Sequence, residues 1–338
     1  MTALARYFRY PDGIWPNVAA LSFTLLGWLL GIVLMTLEAW PLVAVGFLMT
    51  SIALIWSAYF IHEFAHLAIF KSAAANRRWG TLMTWLNGSC IAHFDDLRKK
   101  HMRHHVERAD VITFDVQGCL RRAPASFRIA VLALEWLYFP AVEFLMRGFV
   151  IERAWKRGGA SRRRLVGILA LRISAFALLG WLSPLALALY FAAYLLMVTV
   201  LRFADCFQHT YEAYPIDDDT PLPPELIRDK EYEQANTFTN VVGLHSFWGN
   251  LLWLNFGFHN AHHERPIVPW HRLPALHREL YGDAYSQVVT VPELLKAFHV
   301  HRVRRVLSPD YGVVLPQQQA HRADGFVGAV GVSFLTAL

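Results

Sequence analysis

The stretch PLVAVGFLMTSIALIWSAYFI at residues 41–61 runs directly into HEFAH at residues 62–66. The first part is apolar and uncharged, and it has the roughly 20 residues that a helix needs to cross the hydrocarbon layer of a membrane. If the helix continues into the second part, His62 and His66 lie one turn apart on the same face. The stretch therefore predicts a membrane-spanning helix that ends in two neighbouring imidazoles.

Three other apolar runs are long enough to span a membrane, at residues 18–37, 165–182 and 184–201. The run at 18–37 is too long for the apolar part of a signal peptide, and no A-x-A cleavage site closes it, so we expect it to be retained. Very short connections join the first run to the second and the third to the fourth, which predicts two helical hairpins. Arg172, in the third run, is a charged residue that this pattern does not explain.

The composition agrees with a membrane protein. Hydrophobic residues make up 55% of the 338 residues and charged residues only 17%, which is too apolar for a soluble domain of this length. The 32 Lys and Arg exceed the 26 Asp and Glu, but this excess fits the positive-inside rule more simply than nucleic-acid binding, which we do not predict. The three cysteines form no CxxC pair and indicate neither a disulfide framework nor a thiolate zinc site.

The distribution of cations predicts the topology. Lys and Arg are concentrated in residues 62–164, and two hairpins return every long segment to that same side of the membrane. We therefore predict an all-α integral membrane protein in a single domain, residues 1–338, with four transmembrane helices. Residues 62–164 and 202–338 are expected to form a cytoplasmic helical cap, with both termini cytoplasmic. The expected location is multi-pass in a membrane, which in a bacterium is the inner membrane.

Two further apolar segments do not qualify as spans. Residues 127–150 are interrupted by charges and by Pro140, which suits a helix lying in the membrane interface. Residues 325–338 are too short to span, and we expect them to lie in the interface or to cover a substrate entrance.

Histidine clusters point to the chemistry of the chain. Two copies of an H-x-x-H-H pattern, HMRHH at 101–105 and HNAHH at 259–263, follow the first pair, and His209 lies four residues after Asp205 beyond the fourth run. On a helix the pattern brings three imidazoles close together. Nine imidazoles exceed what one ion can hold, and a nitrogen-rich site for two ions of higher coordination number suits iron better than zinc. The predicted metal ligands are His62, His66, His101, His104, His105, His209, His259, His262 and His263.

Neutral imidazole ligands need an anchor for their second ring nitrogen, usually a carboxylate, a carbonyl or water. Asp205, Glu63 and Glu264 are the carboxylates that we select for this role. Asp205 ranks first, either as an anchor for His209 or as a ligand through water. Salt bridges to nearby arginines remain an alternative for each of them.

We call the three motifs HEFAH, HMRHH and HNAHH the histidine boxes. Their order, between and after two membrane hairpins, resembles the membrane fatty-acid desaturase superfamily over roughly residues 15–290. This superfamily also includes alkane hydroxylases, sterol-modifying enzymes, carotenoid ketolases and desaturase-like fatty acid decarboxylases. The resemblance implies a cytoplasmic non-haem diiron centre, with His209 as the histidine after the last span. In acyl-CoA desaturases an Asn four residues before that histidine meets one iron through water, and Asp205 stands at this position here.

The resemblance implies an O₂-dependent oxidoreductase, and the function that we predict is a fatty-acyl desaturase that introduces a double bond into a lipid acyl chain. Three other outcomes of the same centre stay open: oxidative decarboxylation of free fatty acids to terminal 1-alkenes, hydroxylation of acyl chains or alkanes, and formation of an acetylenic bond. A zinc-dependent membrane receptor or hydrolase is the alternative from a different class. Metal analysis separates that class from the others.

The sequence carries no built-in electron donor, because it lacks an H-P-G-G haem motif, ferredoxin cysteine spacing and a G-x-G-x-x-G loop. We therefore expect an external donor, either a ferredoxin with its reductase or a cytochrome b5-like protein. The clusters at 98–100 and 162–164 are basic enough to bind an acidic donor or a substrate anion, although both also fit as topology determinants beside lipid headgroups.

Overall fold

The computed structural model describes residues 3–215, 220–285, 287–308, 323 and 325–337. The chain divides into two compact units. We call Met1–Asp96 with Gly148–Val200 the membrane unit, and Leu97–Arg147 with Leu201–Ala337 the histidine unit.

The described residues are mostly helical. Their α-helices are α1 (Ile14–Ser22), α2 (Trp28–Met35), α3 (Trp40–Ala65), α4 (Ala73–Asn87), α5 (Phe94–Glu107), α6 (Val116–Arg122), α7 (Ala125–Trp136), α8 (Ala141–Arg157), α9 (Gly159–Leu182), α10 (Pro184–Cys206), α11 (Lys230–Ala235), α12 (Phe247–Leu251), α13 (His259–Glu264), α14 (Leu273–Leu280), α15 (Val291–His301) and α16 (Arg304–Leu307). Their strands are β1 (Asp110–Ile112), β2 (Ala213–Pro215), β3 (Thr239–Val241) and β4 (Val288–Thr290).

Four helices in the described part of the chain are long and apolar enough to cross a membrane: Pro11–Met35, Trp40–Ala65, Gly159–Leu182 and Pro184–Cys206. The first combines a 3₁₀ turn, α1, a π-helical turn and α2, and the other three are α3, α9 and α10. The prediction of four long apolar helices is confirmed. In the most apolar window of α9 only 11% of the residues are buried, as expected for a surface that faces lipid.

The helices extend beyond the apolar runs that predicted them. The first begins at Pro11 rather than at residue 18, because the fixed φ of proline suits the first turn of a helix. The third begins at Gly159 rather than at residue 165, so the arginines at 162–164 are helical. A prediction from hydropathy leaves these arginines out of the span because they are charged. They are nevertheless compatible with the helix, because arginine is a good helix former.

Arg172 has a polar partner inside the membrane unit. Its Nη2 donates to the carbonyl of Trp85 at 2.5 Å, in the last turn of α4. Just beyond that turn, the carbonyls of Cys90 and Ile91 accept from Arg164 at 2.6 and 2.5 Å. The carbonyl end of a helix attracts cations. The hydrogen bond to Trp85 therefore explains how Arg172 is accommodated in an otherwise apolar run.

The first hairpin is held by close backbone packing between α2 and α3. A Cβ atom on Gly31 would lie 2.8 Å from the carbonyl oxygen of Gly46, and a Cβ on Gly46 would lie 2.6 Å from that of Gly31. No side chain fits there, so both positions require glycine. Small residues that let backbones approach are typical of helix pairs in membranes.

The histidine unit is built from short elements packed on buried apolar clusters. β1 pairs in parallel with β2, and β3 with β4, each over three residues. The all-α prediction therefore holds for the long elements but misses these strands, which are too short to give a period-2 pattern. One buried cluster joins Phe207, Phe238 and Phe326, and so connects the end of α10 to the segment 325–337.

The expected interfacial helix at 127–150 is two helices in the structure. α7 ends at Trp136 and α8 begins at Ala141, because proline disfavours helical geometry in the residue before it, here Phe139. Ile129, Trp136 and Leu137 are more than half exposed. An exposed apolar face of this kind fits a position in the membrane interface.

Candidate metal centre

In the membrane unit, the end of α3 holds the first histidine pair. His62 is 1% exposed and His66 8%, and their ring centroids lie 4.7 Å apart. Glu63 is also buried, with Oε1 3.6 Å from Nδ1 of His62. The i, i+4 spacing thus places two imidazoles side by side, as the sequence predicted, and Glu63 lies beside one of them.

In the histidine unit, four imidazoles from three segments form the four-histidine group, His104, His209, His259 and His263. One nitrogen from each lies within 4.8 Å of those of the others. His104 belongs to α5 and His259 and His263 belong to α13, where the H-x-x-H-H spacing directs them to one side. Nε2 of His209 is 3.1 Å from Nε2 of His104 and 2.8 Å from Nε2 of His259.

His209 reaches this group from extended backbone rather than from a helix. The sequence places it on a continuation of the fourth span, but α10 ends at Cys206. His209 instead forms a β-bridge with Thr237, and the neighbouring Phe238 amide donates to the carbonyl of Gln208 at 2.8 Å. The expected helical pairing of Asp205 with His209 is therefore wrong, because tertiary pairing with residues 236–238 takes over after Cys206.

The remaining three predicted ligands of the histidine unit form the three-histidine group, His101, His105 and His262. Nε2 of His105 lies 3.2 Å from Nε2 of His101 and 3.2 Å from Nε2 of His262. His105 also stacks on His263 of the four-histidine group, with ring centroids 4.2 Å apart. Two nitrogen clusters thus lie next to each other in one unit.

The hydrogen bonds of the second ring nitrogens show which nitrogens carry lone pairs. The hydroxyl of Thr237 donates to the carbonyl of Glu233 at 2.6 Å, so it accepts from Nδ1–H of His209 at 3.2 Å. Nδ1–H of His104 donates to the carbonyl of Ala109 at 2.9 Å. Both Nε2 atoms therefore carry lone pairs although they lie only 3.1 Å apart. Lone pairs at this distance repel each other unless they share a cation, so this donor set fits a metal ion.

Burial keeps these imidazoles neutral. It lowers the pKa of His104 to about 4 and that of His262 to about 3. Burial, followed by the neighbouring imidazoles, lowers the pKa of His209 and His263 well below the usual value. A neutral imidazole is the form that binds a metal ion.

Glu233 anchors the four-histidine group, and sequence reasoning missed it. Its side chain is 3% exposed, and Oε1 accepts from Nδ1 of His263 at 2.9 Å. Lys230 and Arg108 contact its Oε2 at 2.8 and 3.3 Å. Glu233 stands at no box spacing from any histidine, so only the folded chain reveals it. With its carboxylate on Nδ1, Nε2 of His263 is buried without a hydrogen-bond partner among the described residues.

The carboxylates selected from the sequence lie in different surroundings. Asp205 lines a cavity together with His104, His209 and His259, but the anchor expected of it for His209 is supplied by Thr237. Glu264 forms an ion pair with Lys230 at 3.5 Å and is 37% exposed. From the sequence, a salt bridge to a nearby arginine is the alternative for Glu264, but the partner in the structure is Lys230.

This cavity has a volume of about 50 Å³. Lys100, Asp205 and Gln208 give it polar groups, and Phe256 and Phe334 are among its apolar residues. That volume is several times the roughly 10–15 Å³ that one water molecule needs. The cavity therefore has room for a small group next to the histidine nitrogens.

We expect Glu233→Gln to weaken metal binding by about 10–100-fold, the usual cost of losing the hydrogen-bond partner of a ligand. The neutral amide accepts more weakly from His263 and leaves Lys230 and Arg108 without their carboxylate. Metal content after dialysis against graded chelator concentrations measures this change.

The matched control is Glu231→Gln, which changes an exposed glutamate in the same helix. It should retain metal like the unmodified protein. Equal metal retention by both variants would contradict the assignment of Glu233 as an anchor.

Comparison with known proteins identifies a relationship for most of this chain. A family model described as fatty acid desaturase matches residues 38–294. No curated protein and no solved structure matches.

Proposed function

Because the chain belongs to the fatty acid desaturase family, we propose that it is a membrane-bound diiron enzyme that uses O₂ to introduce a double bond into a lipid acyl chain. The observation that supports this proposal most strongly is the pair of adjacent nitrogen clusters in the histidine unit. An all-imidazole donor set without thiolates suits iron in oxygen chemistry. Two bound irons would supply the activation of O₂ and the removal of hydrogen from carbon.

The ligand assignment in this proposal follows the nine histidines of the sequence prediction. The four-histidine group would hold one ion and the three-histidine group the other. The prediction that His62 and His66 complete the set rests on the sequence pattern and on the family, in which all three boxes bind iron.

The residues around the clusters hold the ligands and shape the space beside them. Thr237, Ala109 and Glu233 fix the tautomers of three imidazoles, so that each directs Nε2 inward. Phe256 and Phe334 cover the nitrogens with apolar surface, which limits the access of water to a reactive centre.

The overall reaction defines the partners that we propose. Desaturation consumes O₂, two hydrogens of the acyl chain, two electrons and two protons, and it yields an alkene and two waters. The electrons come from an external donor, a ferredoxin with its reductase or a cytochrome b5-like protein. Four helices of membrane-spanning length fit a substrate taken from the lipid phase, and the charge pattern favours a site on the cytoplasmic side.

Oxidative decarboxylation of a free fatty acid to a terminal alkene is the second candidate. The cavity beside the histidines is small and is lined by Lys100, whose positive charge would attract a carboxylate although its three N–H groups donate to Thr113, Ser333 and Thr336. An acid bound in this way would present its first methylenes, rather than the middle of the chain, to the reactive centre. Decarboxylation consumes the same O₂, two electrons and two protons and yields the same two waters, but the acid loses one hydrogen from its β-carbon and its carboxyl hydrogen, and the bond to the carboxyl carbon breaks to release CO₂ and leave the terminal alkene.

One experiment separates the candidate reactions. Membranes containing the protein are incubated with O₂, reductant, a donor system and ¹³C-labelled acyl substrates, given both as free acids and as thioesters. An unsaturated acid of equal length supports desaturation, an alkene shorter by one carbon supports decarboxylation, and a hydroxy acid supports hydroxylation. Purified protein should contain about two irons per chain, and zinc without iron would contradict the diiron proposal.

A further inference from the structure

The segment 325–337, which we call the wall segment, lies inside the histidine unit. The sequence predicted that it would lie in the interface or cover a substrate entrance. Phe326, Val330 and Leu335 are at most 7% exposed, and the segment has neither helix nor strand. Three of its residues, Val332, Ser333 and Phe334, line the cavity beside the histidines. The wall segment is therefore part of the site rather than a peripheral extension.

Lys100 fixes the wall segment from the cavity side. Its ammonium group donates to the carbonyls of Ser333 and Thr336 at 2.7 and 2.9 Å and to the hydroxyl of Thr113 at 3.0 Å. The hydroxyls of Thr113 and Thr336 also lie 2.9 Å apart. Hydrogen bonds donated by a charged group are stronger than those between neutral groups. Lys100 directly precedes the ligand His101, so α5 positions the wall segment and the metal ligands together.

A second attachment holds the other end of the wall segment. The amide of Ala329 donates to the carbonyl of Cys206 at 2.8 Å. Gly328 beside it has a φ of +86°, and a Cβ there would approach the same carbonyl to 3.0 Å. Glycine thus allows the segment to pass close against the end of α10. With both ends fixed, the residues between them have a defined position.

Phe334 places its ring next to the predicted ligands. Its centroid lies 6.4 Å from that of His101 and 6.4 Å from that of Phe256. Phe256 in turn lies 5.1 Å from His259. The two phenyl rings therefore form a continuous apolar surface from one histidine group to the other.

We propose that the wall segment determines substrate selectivity, with Phe334 limiting the width of the cavity next to the metal ligands. This inference rests on the proposed function, because it assumes an acyl substrate. The cavity of about 50 Å³ is small, and Phe334 lines it next to the predicted ligands. Its ring would therefore compete for space with a substituent on the chain. One methyl group that a pocket accepts or rejects changes kcat/KM by roughly 10–200-fold.

The test is a competition between acyl substrates. A straight-chain saturated substrate and isomers with one methyl branch at successive carbons are supplied together to wild type and Phe334→Ala. Removing the ring should raise the branched-to-straight ratio of kcat/KM by about 10-fold or more at one or two adjacent branch positions. The ratio does not depend on the amount of folded enzyme, so low yield of the variant does not alter it.

Leu335→Ala is the matched control, because Leu335 is the next residue, is 4% exposed and does not line the cavity. Its ratio should stay within about two-fold of wild type, well below the effect of one methyl group in a pocket. Phe334→Trp should lower the ratio, which keeps the test decisive if the alanine variant fails to fold. The change in melting temperature that each substrate causes, measured without O₂ or reductant, reports binding alone.

The outcomes separate this inference from the proposed function. If Phe334→Ala and Phe334→Trp both keep the branched-to-straight ratio of kcat/KM of wild type at every branch position, the inference is wrong and the proposed function is unaffected. A purified wild-type protein with iron that turns over no acyl substrate would overturn the proposed function, whatever the Phe334 variants bind.

Discussion

Replacing His209 by alanine is expected to remove metal from the four-histidine group and to abolish turnover. Nε2 of His209 lies within 3.1 Å of Nε2 of both His104 and His259, so it is the central donor of the group. Loss of a ligand should cost more than the roughly 10–100-fold that loss of a hydrogen-bond partner costs. Metal analysis of the purified variant, together with product formation from labelled substrate, measures both effects.

His299→Ala is the control for this experiment. His299 is exposed and bonds to the hydroxyl of Tyr138, far from any box spacing. It should retain metal and activity. A His209→Ala protein with the metal content and turnover of wild type would remove His209 from the ligand set and leave the proposed four-donor site incomplete.

Thr237→Val provides a milder test of the same position. It removes the hydroxyl that accepts from Nδ1 of His209 but keeps the shape of the side chain. The imidazole then lacks its tautomer anchor, and metal affinity should fall by about 10–100-fold. A fall as large as that of His209→Ala would indicate damage to the fold instead, which circular dichroism and melting temperature would reveal.

The sequence predicts the parts of this protein that depend on local periodicity. Four apolar runs predict four long helices because lipid demands length and apolarity from each segment by itself. The boxes in α5 and α13 predict converging imidazoles because helical spacing alone places residues 101, 104 and 105 on one side. Neither inference requires knowledge of the rest of the chain.

The parts that the sequence does not predict depend on tertiary partners. Arg172 conflicts with a membrane span until the carbonyl of Trp85 is placed beside it. His209 leaves helical geometry because residues 236–238 pair with its backbone. Glu233 is one of several acidic residues in its segment, and only the position of His263 singles it out. Each of these contacts joins residues that are far apart along the chain or carry no periodic signal.

A buried ion pair near the end of the fourth span leads to the second large expected effect. Nη1 of Arg202 lies 2.5 Å from Oε2 of Glu135, and the two side chains are 5% and 2% exposed. Oε1 of the same carboxylate accepts from the amide of Val142 at 2.9 Å. Removing one partner of such a pair leaves an uncompensated charge in the interior, which typically costs about 3–5 kcal/mol. Glu135→Leu should therefore lower the free energy of unfolding in detergent by this amount.

The double variant Glu135→Leu, Arg202→Leu distinguishes the cost of an orphaned charge from the value of the pair. With both charges removed, the protein should recover much of the lost stability, because apolar replacement of a buried pair is often neutral or better. Glu152→Gln, which breaks an exposed i, i+4 pair with Lys156, should change little. If the double variant were as unstable as Glu135→Leu, the carboxylate would act mainly by capping the amide of Val142, where α8 begins. In that case Glu135→Gln should recover the stability lost in Glu135→Leu, because its amide oxygen still accepts from Val142. If the loss comes instead from the uncompensated charge of Arg202, Glu135→Gln should not recover it.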